Sequence, residues 1–370
     1  MIQSDDLTRE VYGVLGIPVD VTDMTTVLRK IDAAATNSAP FLISTANLNF
    51  LATSQSDAEF RDSLLLSDLC TADGMPIVWI ARLLGVPIKA RVAGSDLFEA
   101  LKSVYGSNRP LKVFLFGGAE GVAATACKAL NAENSGIACA GLFYPGFCSV
   151  EEMSTDAIID LINSSDADFL IAALGAKNGQ AWLLRNHDRL RIPVRTHLGA
   201  VINFQAGTLK RAPAPMRTWG LEWLWRIKEE PQLWRRYWDD GIVLLQLVLT
   251  RIIPLIVLAQ LHKLKRGSNE QDLHIKREDD HKSVILNVNG VATVQNIGKA
   301  VLCFRDAAAA AKDVVVNFTG TRLIDARFLG LLLMLDKQLK RQNLRLKFAG
   351  IPPRIERIFR LNGFGFLLRT

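Results

Sequence analysis

Cysteine is scarce and poorly placed for metal chemistry. The five cysteines, Cys70, Cys127, Cys139, Cys148 and Cys303, show no paired ligand spacing and lie in or beside apolar runs. The expectation is buried free thiols in a reducing cytosol and no metal site. The start of the chain lacks an apolar stretch: Met1 to Arg9 is polar and acidic, which argues against a secretory leader. The turn Gly117-Gly118-Ala119-Glu120-Gly121 lacks the third spaced glycine of a dinucleotide fingerprint. It is open between a tight strand-to-helix turn and a backbone cradle for a diphosphate. An acidic excess is missing too. The net charge is +7, which suits an anionic partner: nucleic acid, lipid headgroup or phosphorylated substrate. No nucleic-acid-binding motif accompanies the charge, so that class is set aside.

Segments apolar enough to cross a membrane are rare. The most apolar one is 241–261, with a single charge at Arg251 and a proline at 254. Its length admits a span, but a mid-segment Arg and Pro argue against a simple one. We expect an amphipathic or re-entrant element on the cytoplasmic leaflet; a buried helix or a dimer contact stays open. Six of the seven tryptophans fall between 182 and 238, among arginines. That mixture fits a membrane interface, and packing of a helix on a sheet fits it equally.

What the chain does have is alternation. Met24, Val27, Leu28 and Ile31 predict a helix over 22–35, with Thr22 as a cap. Continuous apolar runs at 41–45, 112–116, 137–143, 168–174 and 194–198 read as strands buried on both faces. Glycine turns and helical patterns separate them. The fold class is therefore α/β, a Rossmann-like, mostly parallel sheet. A polar, charge-dense stretch at 265–282 reads as a linker. Beyond it, strands at 284–288, 314–318 and 344–348 and helices at 325–341 and 354–361 make a second, small α/β domain. The expected division is 1–240, an apolar segment 241–264, a linker 265–282 and a domain 283–370.

Chemistry concentrates around Thr71-Ala72-Asp73-Gly74-Met75-Pro76, entered from an apolar helix at 60–69, and Lys89-Ala90-Arg91-Val92-Ala93-Gly94-Ser95-Asp96. An Asp-Gly pair alone is a turn signal. The spacing to Arg-Val-x-Gly-Ser-Asp is far less common. With Thr45-Ala46-Asn47, Phe116-Gly117-Gly118, Gly207-Thr208-Leu209-Lys210-Arg211-Ala212-Pro213 and Gly220-Leu221-Glu222-Trp223, it resembles the WecG/TagA/CpsF glycosyltransferase family over the first 240 residues. The resemblance implies transfer of an N-acetylmannosamine-type sugar from a UDP donor to a lipid-linked sugar diphosphate. Transfer would occur with inversion and without metal or cofactor, at the inner face of a bacterial membrane. It implies Asp73 as general base, Arg91 at the leaving diphosphate, and Thr45 and Asn47 as positioning groups. Gly94, Ser95, Asp96, Gly117, Gly118, Lys210 and Arg211 would contact substrate. Arg226, Arg235 and Arg236 resemble the family's basic segment near the lipid diphosphate.

One departure concerns the stretch after Gly175-Ala176. Many family members carry Pro-Lys-Gln-Glu there, whereas this chain has Lys177-Asn178-Gly179-Gln180. Gln180 can contact substrate by its amide but offers no carboxylate. The last stretch, through Leu323-Ile324-Asp325-Ala326-Arg327-Phe328-Leu329-Gly330, resembles a STAS domain. Ala326 stands where regulatory members carry a phosphorylatable serine, which excludes a phosphate switch there. Binding to another protein, to the transferase region or to a second copy stays open, as does a homo-oligomer. The competing reading is a degenerate transferase that serves as a scaffold through its STAS-like domain.

Overall fold

A computed structural model describes residues 5–264 and 272–369. The chain forms two compact units. One comprises residues 22–78 and 89–240; the other comprises 2–21, 79–88 and 241–370.

Two strands near the N-terminus, β1 (Val11–Val14) and β2 (Ile17–Asp20), form an antiparallel hairpin in the second unit. The first unit is built on six parallel strands: β3 (Phe41–Ala46), β4 (Leu69–Ala72), β5 (Leu111–Gly117), β6 (Ile137–Phe143), β7 (Phe169–Ala173) and β8 (Val194–His197). They lie in the order β4-β3-β8-β7-β5-β6. Side chains alternate between the two faces. On β5, Val113 and Leu115 join one core layer with Ile43, Phe98, Ile171 and Val201. Phe114 and Phe116 join the other, with Leu170, Ile159 and Trp182. Covered on both faces, the strands read as unbroken apolar runs.

Several expectations need correction. The helix at the start of the first unit spans Met24–Thr36, and its cap is Asp23, whose carboxylate accepts from Thr26 N. The apolar run at 60–69 is not one helix. The helix Ala58–Leu65 stops, and Leu69–Ala72 is β4, because Leu69 pairs with Ile43 in the sheet. Cys127 and Cys139 are not thiols but a disulfide, with Cα atoms 5.2 Å apart. The helix Val122–Glu133 packs on β6 and brings them together, a juxtaposition that a twelve-residue separation did not announce. Cys70, Cys148 and Cys303 remain thiols.

In the second unit, β9 (Leu273–Asp279) pairs antiparallel with β10 (Ser283–Ala292). The expected linker is thus a strand over much of its length, while 265–271 lies outside the described residues. Leu273 is buried in this strand, and the charges of Lys276 to Asp279 stay in solvent, a charged pattern that suits a sheet edge. β10 also pairs in parallel with β11 (Asp313–Asn317) and β12 (Thr321–Ile324), and β11 with β13 (Leu346–Ala349). The helix Ala326–Arg341 is capped by Asp325, which accepts from Phe328 N and Val294 N at 2.9 and 2.8 Å. Edge-to-face contacts link Phe328 to Phe304 and Phe318, and Phe318 to Phe359.

The apolar segment is helical from Trp234 to Leu264, with a π-turn at Val248–Ile252. Pro254 follows that turn. A wider turn is a place where a helix tolerates a missing N–H. Leu247 and Ile252 are buried, whereas Ile242, Leu245, Leu249, Ile253, Val257 and Leu261 are each about half exposed. The helix is long and apolar enough to cross a membrane.

Candidate active site

The C-terminal ends of parallel strands are where an open α/β sheet receives its ligands. Asp73 follows the last residue of β4, and its N–H donates to Ala46 O at the end of β3, 2.8 Å away. Gly74 has φ +95° and a helix begins at Met75. That backbone suits glycine, so the Asp-Gly pair turns the chain and leaves the carboxylate at the strand end. The Arg91 loop is pinned to the same strand. Val92 N donates to Ala72 O at 3.0 Å, and Thr71 Oγ1 donates to Val92 O at 3.0 Å. Gly94 N then donates to Asp73 Oδ2 at 3.3 Å. A Cβ on Gly94 would strike Leu198, with Thr45 Oγ1 3.5 Å away. The glycine is needed for that close approach.

Burial pushes the Asp73 carboxyl up to about 7, against the opposing pull of the Arg91 charge and the Gly94 N–H. Arg91 itself is held as a fork. Nη1 donates to Glu222 Oε2 at 2.9 Å and Nη2 to Asp96 Oδ2 at 2.6 Å. The other oxygen of Asp96 accepts from Arg211 at 2.6 Å and Arg217 at 3.0 Å, and Arg211 also reaches Ser95 Oγ at 3.3 Å. Arg211 and Arg226 both lie over the Phe204 ring. The result is a carboxylate of raised pKa beside a concentration of guanidinium charge.

The structure gathers Asp73, Arg91, Gly94, Ser95, Asp96 and Arg211 in one network, with Thr45 at its edge. Asn47 sits beside Gly74, and its Oδ1 caps the helix Leu48–Ser56 through Phe50 N. Gly117 and Gly118 both have positive φ, and Gly118 N donates to Ala173 O, so this turn is tied to the end of β7. Gln180 is not brought in: it is fully buried and bonded to Ser44 Oγ. Lys210 is exposed, with its carbonyl accepting from Trp225 Nε1. Arg226 pairs with Glu230. Arg235 and Arg236 are exposed and lie over Trp234 and Tyr237, outside the Asp96 network.

Sequence reasoning passed over Glu222 as a site residue although its motif was noted, and missed Arg217 altogether. A fork on Arg91 needs two acids, and only the fold shows which. His197, at the end of β8, was also missed. Burial pushes it down to about 4, so it is neutral near pH 7. Among the described residues, no group of three or more His, Cys, Asp or Glu side chains is placed to hold a metal.

A parallel sheet with a carboxylate and a braced arginine at its strand ends is an arrangement that an α/β enzyme can use. The sequence profile of the "Glycosyl transferase WecG/TagA/CpsF family" matches residues 12–255, more than half of the chain, and the chain belongs to that family. It is a glycosyltransferase. A "Mlab, STAS domain" profile matches residues 275–369. Among curated relatives is the N-acetylglucosaminyldiphosphoundecaprenol N-acetyl-beta-D-mannosaminyltransferase of Bacillus spizizenii W23. It is 28% identical over 200 residues, covering 54% of this chain and 75% of the relative. Proteins of the same name from Bacillus subtilis 168 and Staphylococcus aureus MW2 are each 25% identical. They cover 66% and 60% of this chain, and 87% and 85% of their own lengths. Among solved structures, the phosphorylated Bacillus cell fate determinant SpoIIAA covers 26% of this chain and 88% of its own, at 16% identity and a TM-score of 0.23.

Proposed function

We propose that the enzyme moves an N-acetylmannosamine-type sugar from a UDP donor to a lipid diphosphate-linked sugar, with inversion, and that Asp73 is the general base. The observation that carries this reading is the Asp73 carboxyl, pushed up to about 7 beside Arg91, in a chain whose relatives are named for that transfer. The acceptor hydroxyl oxygen attacks the anomeric carbon. Asp73 takes the proton, and the bond to the donor's diphosphate breaks with its electron pair leaving on UDP. A base of this pKa is strong enough to accept a proton and is about half ionised at neutral pH. Arg91 stabilises the departing diphosphate, and its fork to Glu222 and Asp96 keeps it oriented. Thr45 and Asn47 position the reacting sugars. The Gly117-Gly118 backbone approaches the nucleotide, and Ser95, Lys210 and Arg211 complete the polar wall. Arg226, Arg235 and Arg236 meet the acceptor's diphosphate.

We further propose that the protein works from the cytoplasmic side, as a peripheral protein on the membrane face. The exposed stripe from Ile242 to Leu261 supports this. One side of that helix packs on the helix Pro353–Leu361, and along the other, among the described residues, runs a line of half-exposed apolar side chains, which suits lying in an interface.

The test is transfer to a synthetic lipid diphosphate-linked acceptor from a panel of UDP-sugars, with wild type and Asp73→Asn. Transfer by wild type alone selects the donor and places the base. No transfer from any donor by folded wild type would overturn the reading in favour of a scaffold.

A further inference from the structure

The second unit contains an interface that its sheet does not require. The helix Ala326–Arg341 is buried nearly all round. Phe328, Leu332 and Leu335 belong to its apolar face. A second series, Arg327, Gly330, Lys337 and Arg341, recurs at helical spacing and meets the N-terminal segment. Arg327 donates to the carbonyls of Arg9 and Val11, both at 3.0 Å. Lys337 and Arg341 reach the two oxygens of Asp6 at 3.3 and 2.8 Å. On the neighbouring helix Ile297–Ala309, Arg305 pairs with Asp5 at 2.6 Å.

The fit is close as well as charged. A Cβ on Gly330 would collide with the Val11 carbonyl, and one on Gly13 would come within 2.7 Å of the Phe364 ring. The charges are complementary: residues 5–20 carry four acids and one base, and the faces they meet present Arg305, Arg327, Lys337 and Arg341. The hairpin β1–β2 is a two-stranded sheet of its own. Such a hairpin is marginally stable alone, so its order depends on the surface it covers. Matched charge, glycine-lined contact and an unsupported hairpin are features of a docked partner.

From these contacts we propose that the STAS-like domain works in cis. Its partner at the helix Ala326–Arg341 is the chain's own N-terminal segment, residues 5–20, and another protein reaches this face only by displacing that segment. This inference is independent of the donor, the acceptor and the role of Asp73.

The test is amide hydrogen exchange on the full-length protein. In wild type, the amides of 11–20 exchange slowly, together with those of 326–341. Lys337→Met and Arg327→Met remove contacts to the segment. Each is expected to accelerate exchange across 5–20 at least tenfold, with β5 and β7 unchanged. Unaltered exchange at 5–20 in both folded variants would overturn the proposal, as would fast exchange of 11–20 in wild type. Should either variant lose the domain fold, the half-exposed pair serves instead. Arg305→Asp should loosen 5–9, and adding Asp5→Arg should restore its protection. Failure of that rescue would count against docking in cis.

Discussion

Two clusters of charge, one in each unit, are buried around Asp6 and half-buried around Asp73, and they behave in opposite ways. Around Asp6 and Asp20, every acid has basic partners. Arg9 binds both at 2.8 Å, and Lys337 and Arg341 complete Asp6. Burial works against the Arg9 charge, but the two aspartates outweigh it and raise its pKa. Around Asp73 the pairing is withheld. Arg91, whose charge acts on Asp73, directs its fork to Glu222 and Asp96, so among the described residues Asp73 is left with the Gly94 N–H and that field, and burial raises its pKa. A satisfied cluster fixes structure; an unsatisfied carboxylate stores the capacity to take a proton.

Breaking each cluster should therefore give different losses. Asp73→Asn should lower kcat by about 10²- to 10⁴-fold with the fold intact, measured by sugar transfer and circular dichroism. Unchanged turnover would remove Asp73 from the mechanism. Asp6→Asn should do the reverse. It leaves Lys337 and Arg341 facing a neutral amide and should cost about 3–5 kcal/mol, read from urea melts, with turnover per folded molecule unchanged.

The pH profile sharpens the contrast. A base is active when ionised, so kcat/KM should rise with pH and level off above about 7, and the rise should vanish in the residual activity of Asp73→Asn. For stability the sign is opposite. The folded pKa of Asp73 is raised, so the native state holds more protons than the unfolded state between about 4 and 7, and stability falls as pH rises through that window. Asp73→Asn should consequently be more stable than wild type at pH 8, by on the order of 1–3 kcal/mol. A smaller effect is expected from Glu222→Gln. It frees one arm of Arg91 and should reduce kcat by about tenfold; an unaltered kcat would mean Asp96 alone orients the guanidinium.

The sheet was legible because both of its faces are covered: runs such as Phe114 to Phe116 have no polar side to hide the strand. β4 was misread because Leu65 and Leu69 stand at helical spacing across Ser67-Asp68, so the helix-to-strand change leaves no periodic mark. β9 was taken for linker because an edge strand shows the outside world its charges. Asp73, Arg91 and Asp96 stood out through motif spacing. Glu222 and Arg217 lie more than 100 residues away in sequence and join them only through the fold. The Asp6 cluster was invisible for the same reason, since its halves lie at opposite ends of the chain.

The π-turn at Val248–Ile252 has a geometric consequence. From Ile242 to Leu261 the exposed stripe takes five steps over 19 residues. At about 100° per residue, a regular α-helix would overshoot five full turns by about 100°, the rotation of one residue. One extra residue in a wide turn absorbs that amount, so both halves of the stripe face the same way. Phase, rather than length, is what that turn preserves. Deleting Thr250 would leave eighteen steps, which at about 100° each close five full turns, so a regular α-helix would keep the stripe in line without the wide turn; inserting a further residue would instead throw its far half about 100° out of line.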